Sequence, residues 1–164
     1  MKITKRRRRE NKTDYAKRIR LLKSDSPRIV FRKTNKYIIS QCVTSENAQD
    51  KIEFGAHSKE LLNYGWPKEL TGSLKSLSAA YLTGLLLGRK IEKNKIKSPI
   101  IDFGMIRSLN KTKMYAFVKG ILDAGIKIEC NEKVLPEEDR ISGKHMKKDF
   151  STTFSKIKSE IEKQ

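Results

Sequence analysis

The segment Leu74–Lys93 constrains the fold of this chain more than any other. Leu74, Leu77, Tyr81, Leu85, Leu86 and Ile91 recur at helical spacing, and Ala80, Gly84 and Gly88 repeat every four residues beside them. Residues three and four apart share one face of a helix, so the small residues form a shallow groove along one side. That groove lets the helix backbone lie close against another element, which is expected to be a sheet. In a bilayer the same spacing would point to helix dimerisation. The apolar run, near Ala79–Gly88, is too short to span one, and its flanks are polar. The segment is therefore read as a core helix, with Arg89, Lys90 and Lys93 suited to the negative end of its dipole.

The remaining elements arrange themselves around that helix. Residues Arg28–Val43 contain two runs rich in Ile, Val, Phe and Tyr on either side of Lys33-Thr34-Asn35-Lys36. This pattern predicts a β-hairpin, with Asn35 suited to a positive-φ turn position. After a polar loop, Glu46–Asp50, the run Lys51–His57 predicts a third strand, and Gly55 in it a bulge or a close backbone approach. Ser58–Tyr64 reads as a short helix ended by Gly65. Trp66 follows as a lid over the core edge or, alternatively, a platform for a base. Ile100–Phe103 is a further strand. Lys113–Ala124 is a second helix, with Met114, Phe117, Val118, Ile121 and Leu122 on one face and Gly125 just past its end. Ile126–Cys130 reads as a last short strand, and Glu132–Lys144 as irregular chain.

The predicted class is α/β of an α+β-like kind, a three-stranded antiparallel sheet extended by a parallel strand. Two helices pack on one face and leave the other free, and the crossover is right-handed. Residues 1–25 are expected to form a basic RNA-binding arm and short helix, and 26–131 a single α/β domain. That short helix is predicted over Asp14–Lys23 with Thr13 as N-cap and an apolar stripe of Tyr15, Ile19 and Leu22. Residues 132–164 form a C-terminal extension with an amphipathic helix carrying Phe150, Phe154, Ile157 and Ile161. That helix can dock on this domain, on a partner protein, or on RNA through Lys147, Lys148, Lys156 and Lys158.

Charge points to the partner. The chain carries 37 Lys and Arg against 19 Asp and Glu, a formal net charge of +18. Eleven of those cations and only two of the acids fall in residues 1–23, where Arg6–Arg9 are consecutive. Such a segment cannot bury enough apolar surface to fold alone. At the hairpin tip Arg32, Lys33 and Lys36 crowd together, with Tyr37 and Gln41 on the return strand. Cations beside an amide and an aromatic suit phosphates and unstacked bases. The arm and the tip are expected to converge on one RNA-binding face. Contact with about 8 phosphates would give a slope near ~−7 of log affinity against log salt.

Other chemistries find no support. Asp102-Phe103-Gly104 matches the metal-binding tripeptide of protein kinases, but no glycine-rich loop, H-R-D or V-A-I-K accompanies it. No nucleophile with its base is visible, and His57 has no second ligand at zinc spacing, so no enzyme, metal or cofactor is expected. Cys42 and Cys130 are too few and too far apart for a disulfide framework and read as buried reduced thiols. No signal peptide precedes them, so the chain is read as cytosolic, with chance sequons at Asn11 and Asn110. The competing binding class is a free-standing basic chaperone or regulator of RNA or DNA.

Six stretches resemble one family. They are RRRRENKTDY at 6–15, RKTNKYIISQ at 32–41, AHSKELLNYGW at 56–66, SAAYLTGLLLGRK at 78–90, LDAGI at 122–126 and EEDRISGKH at 137–145. In that order they resemble the universal 5S-rRNA-binding protein family of the large ribosomal subunit, large-subunit protein eighteen, in its archaeal and eukaryotic form. The resemblance implies a structural protein that binds 5S rRNA and helps anchor it to the large-subunit rRNA in the central protuberance. Neighbouring large-subunit ribosomal proteins there would be its partners, with no membrane involved. Carried over position by position, it implies RNA contacts at Arg6, Arg7, Arg8, Arg9, Lys12, Thr13, Tyr15 and Arg18. It implies them also at Arg32, Lys33, Thr34, Asn35, Lys36, Tyr37 and Gln41. The loop Arg107–Met114 lacks the family's glycine-and-arginine turn, so no contact is carried over there, and the resemblance fades after Met146.

Overall fold

A computed structural model describes residues 4–10, 12–96, 98–146 and 150–163. Strands β1 (Arg28–Lys33), β2 (Ile38–Glu46) and β3 (Gln49–His57) are antiparallel, and β4 (Ile100–Asp102) pairs with β1 in parallel. The sheet therefore has the order β3-β2-β1-β4. The hairpin tip differs in detail from expectation. Asn35 is not in a positive-φ conformation. Thr34 makes the turn instead, its N–H donating to the Tyr37 carbonyl at 2.8 Å and its Oγ1 accepting from the Tyr37 N–H at 2.9 Å. The predicted loop Glu46–Asp50 is mostly strand. Only Asn47 and Ala48 turn, both at positive φ, the geometry whose twist matches the flanking strands. Alanine carries no signal for that conformation, so β3 begins two residues before its predicted start. Gly55 serves a close approach, since a Cβ there would lie 2.9 Å from the Ser40 carbonyl.

Helices α3 (Leu77–Lys93) and α4 (Lys113–Asp123) cover one face of the sheet. Ser76 caps α3 by accepting from the Ala79 N–H at 3.2 Å, so Leu74 belongs to the buried turn before it. The small-residue groove of α3 receives α4 and not the sheet. A methyl added at Gly84 would strike the Phe117 carbonyl, one at Gly88 the Ala124 side chain, and one at Gly120 the Tyr81 carbonyl. Two helices approach this closely only where side chains are missing on both. The sheet instead meets larger side chains, with the rings of Phe31 and Phe117 at 4.8 Å.

The C-terminal stripe docks on this same core. In α6 (Ser151–Glu162) Ile157 and Ile161 are fully buried, and Phe154 packs on Tyr81 with ring centroids 5.5 Å apart. Trp66 lies under Phe150, and its Nε1 donates to the Leu70 carbonyl at 3.0 Å, which makes it a lid and closes off base stacking. Lys147 and Lys148 fall outside the described residues. Two expectations fail nearby. Ile126–Cys130 alternates like a strand but pairs with nothing in the sheet, and Cys130 is only half-buried. Between Glu132 and Lys144, expected to be irregular, stand a 3-10 turn (Glu132–Val134) and the short helix α5 (Glu138–Ser142). Cys42 is buried, and burial with nearby Glu53 pushes its thiol up to about 11, leaving it unreactive at neutral pH.

Candidate nucleic-acid interface

Register decides which way the hairpin cations point. Successive strand residues face opposite sides. Arg28, Val30 and Arg32 share the face of their partners Val43, Gln41 and Ile39, away from the helices. Ile29, Phe31 and Lys33 share the core face with Cys42, Ser40 and Ile38. Arg32 and Lys33 therefore diverge, and the expected single face is split between two.

The face away from α3 and α4 is not free. Helix α2 (Tyr15–Leu22) lies across it, preceded by a single helical turn, α1 (Arg6–Arg9), in the arm that was expected not to fold alone. The cap of α2 is Asp14, whose carboxylate accepts from the N–H groups of Ala16 and Lys17 at 3.0 and 3.2 Å. Thr13 instead accepts from the Arg7 guanidinium at 2.9 Å. Lys17 donates to the Gly104 carbonyl at 3.1 Å, and Arg18 pairs with Asp50 at 2.9 Å. From there an ionic chain crosses the sheet. Arg28, with a side chain only 3% exposed, donates to Asp50 at 2.6 Å and lies 3.8 Å from Asp102. Arg32 completes it at 3.0 Å from the Asp102 carboxylate. The Asp102 carboxylate also accepts from the Gly104 N–H at 2.7 Å. The kinase-like tripeptide is thus a structural joint.

Burial pushes the Asp50 carboxyl up, but hydrogen bonds from Arg18, Ser45 and Arg28 outweigh it and hold the group below its usual range. A carboxylate with a depressed folded pKa stabilises fully above its unfolded pKa, about 3.9, and loses that stabilisation as pH falls through the folded value. Acidification below about pH 4 should therefore loosen α2 from the sheet before the core melts. Cleavage within α2 by the acid protease pepsin, compared with that of an Asp50→Asn protein, measures this. Equal acid sensitivity in the two proteins would refute the assignment.

The predicted contact residues now have places. Arg6, Arg7, Arg8, Arg9 and Lys12 are exposed. Arg6 and Lys12 lie 3.8 and 2.8 Å from Glu10, and Arg8 lies 3.7 Å from Asp14. Lys5 stands over the Tyr15 ring at 4.7 Å. Arg7, Lys12, Thr13, Arg18, Arg32 and Gln41 line one cleft of about 300 Å³ between α2 and the sheet. Lys33, Thr34, Asn35 and Lys36 are exposed at the tip, and Tyr37 is half-buried against His57. Among the described residues Arg9, Lys33 and Lys36 have no carboxylate within ion-pair distance. Sequence reading missed Arg28, Asp50 and Asp102 as the frame that seats α2. Only an arginine at the first position of β1, directly before the apolar run Ile29-Val30-Phe31, hinted at it. No group of three or more His, Cys, Asp or Glu side chains is placed to hold a metal among the described residues.

A family model for ribosomal large subunit proteins 60S L5 and 50S L18 matches residues 1–98, the stretch that holds the arm, α2, the hairpin and α3. The chain belongs to this family. It is similar to large ribosomal subunit protein uL18 of Korarchaeum cryptofilum, 46% identical over 145 residues that cover 88% of this chain and 72% of that protein. It is similar also to large ribosomal subunit protein uL18 of Methanoregula boonei, 44% identical over 141 residues, or 86% and 79% of the two chains. A structural role in the large ribosomal subunit follows, with ribosomal RNA and ribosomal proteins as its partners and no enzymatic one. No helix among the described residues is long and apolar enough to cross a membrane.

Proposed function

We propose that this chain binds 5S rRNA and helps anchor it to the large-subunit rRNA in the central protuberance. In this reading residues 1–25 and the hairpin tip hold 5S rRNA, residues 26–131 are the scaffold, and residues 132–164 brace that scaffold through α6. Neighbouring ribosomal proteins of the protuberance complete the environment. The supporting observation is the set Arg9, Lys33 and Lys36, exposed and without an acid partner among the described residues. Arg6, Arg8, Lys12, Arg18 and Arg32 direct part of their charge at Glu10, Asp14, Asp50 and Asp102. Those pairs orient the arm against the sheet, and RNA phosphates compete for the exposed ones as counterions are released. Arg32 is therefore a held cation, presented at the cleft edge with its side chain 44% exposed.

The test reverses only cations with no internal partner, so that the fold is left intact. Arg9→Glu/Lys36→Glu should bind 5S rRNA about tenfold or more weakly, with the salt slope reduced by about 2. Filter binding between about 50 and 200 mM salt measures both. Wild-type affinity and slope in the double variant would remove the arm and tip from the interface. Equal affinity of the wild type for 5S rRNA and an unrelated duplex would favour a general basic chaperone instead.

A further inference from the structure

Because Lys33 is in register with Ile38 on the core face, its side chain turns toward the helical layer. There it borders a second cleft, of about 400 Å³, with Arg107 and Lys113 on its rim and Phe31 and Met114 in its floor. Lys75 lies outside the cleft lining but close enough for its charge to act on Lys113. Partial burial, and then Lys33 and Lys75, hold the Lys113 ammonium below the usual lysine range. Lys111 on the same rim is neutralised by Glu137 at 2.6 Å. Lys33, Lys75, Arg107 and Lys113 have no carboxylate within ion-pair distance among the described residues. Solvated surface lysines ordinarily stand apart in water. Here like charges are gathered, one of them partly desolvated, around an apolar floor, and this repulsion costs the free protein stability.

We propose that this cleft is a second RNA-binding surface, which takes phosphates and an unstacked base of the large-subunit rRNA while the arm and hairpin tip hold 5S rRNA. It rests on the reading that the chain joins two RNAs. Charge complementarity calls for a polyanion, and an apolar floor inside a cationic rim suits a base flanked by its phosphates. The two cationic surfaces lie on opposite layers of the sheet, separated by the alternation of Arg32 and Lys33. A joint between two RNAs requires such surfaces, because ligands on opposite layers do not compete. Lys33 stands at the boundary, with its backbone in the hairpin and its side chain on the rim of the cleft.

Two variants test this in the full chain. Arg107→Glu/Lys113→Glu reverses the charge, and Lys75→Gln/Arg107→Gln/Lys113→Gln removes it together with the repulsion, so folding is not challenged. Each is assayed for 5S rRNA binding and for capture of a large-subunit rRNA transcript, by the protein alone and by its 5S complex. Both variants should bind 5S rRNA within about threefold of wild type and capture the transcript about tenfold more weakly, with a salt slope lower by about 2. Unchanged capture, or a loss confined to 5S rRNA, would overturn the proposal. So would subunits carrying either variant that keep the wild-type rRNA footprint but lose a neighbouring protein, which would assign the cleft to an acidic protein. Failure of the wild type to bind 5S rRNA would sink the proposed function instead, and capture by the protein alone would still decide the cleft.

Discussion

Gly84→Ala and Gly120→Ala will each lower the melting temperature by about 4–8 °C, against the usual gain from replacing a helical glycine. An alanine in a helix interior is favoured over glycine by about 1 kcal/mol. At these two positions the new methyl meets backbone and not a flexible side chain. From Gly84 it reaches the Phe117 carbonyl, and from Gly120 the Tyr81 carbonyl and the Leu85 nitrogen at 2.8 Å. Backbone cannot swing aside, so α3 and α4 must separate, at a cost of about 3 kcal/mol. The net loss is about 2 kcal/mol for each, and the double variant should lose less than the sum, because the first separation relieves the second. Gly72→Ala is the control, since no atom lies within 4 Å of its added methyl. Thermal melts of the three single variants decide the matter, and a Gly84→Ala protein as stable as wild type would mean that the helices are not interlocked.

Arg28→Ala should destabilise by about 3 kcal/mol, lowering the melting temperature by about 6–12 °C. Arg28 is the buried centre of the chain Arg18–Asp50–Arg28–Asp102–Arg32, and the Asp102 side chain beside it is only 9% exposed. Removing the guanidinium leaves two carboxylates facing each other across a cavity, each with one remaining cation at the edge, Arg18 for Asp50 and Arg32 for Asp102. Arg28→Lys should recover only part of the loss, because a single ammonium cannot fork between two acids. The same variants should expose α2 to trypsin, since Asp50 then retains only Arg18 and Ser45 as polar side-chain partners. A normal melt together with a protected α2 would show that the ionic chain does not seat the helix.

Much of this was legible in the residues themselves. The hairpin, α3, α4 and the stripe of α6 follow from hydrophobic period, because a buried face must repeat at 2 or 3.6 residues whatever it packs on. The basic character of the arm and the hairpin tip is likewise local, and the ordered family stretches depend on residue identity alone. What period cannot say is which partner a face will meet. The groove of Ala80, Gly84 and Gly88 suits any close neighbour, and only the fold chose α4. The strand-like alternation of Ile126–Cys130 found no edge to pair with, while Asn47 and Ala48 turned tightly without a glycine between them. Arg32 and Lys33 look alike in sequence, yet pairing with Ile39 and Ile38 sends one to Asp102 and the other to the cleft of Lys113. Arg28 and Asp102 are far apart in the chain, and no local rule joins them. Sequence by itself determined the elements, the core residues and the charge of this protein, since each rests on neighbours a few positions away. The tertiary structure alone decided where those charges lie relative to one another, because electrostatic pairing depends on distance in space and on exclusion of water.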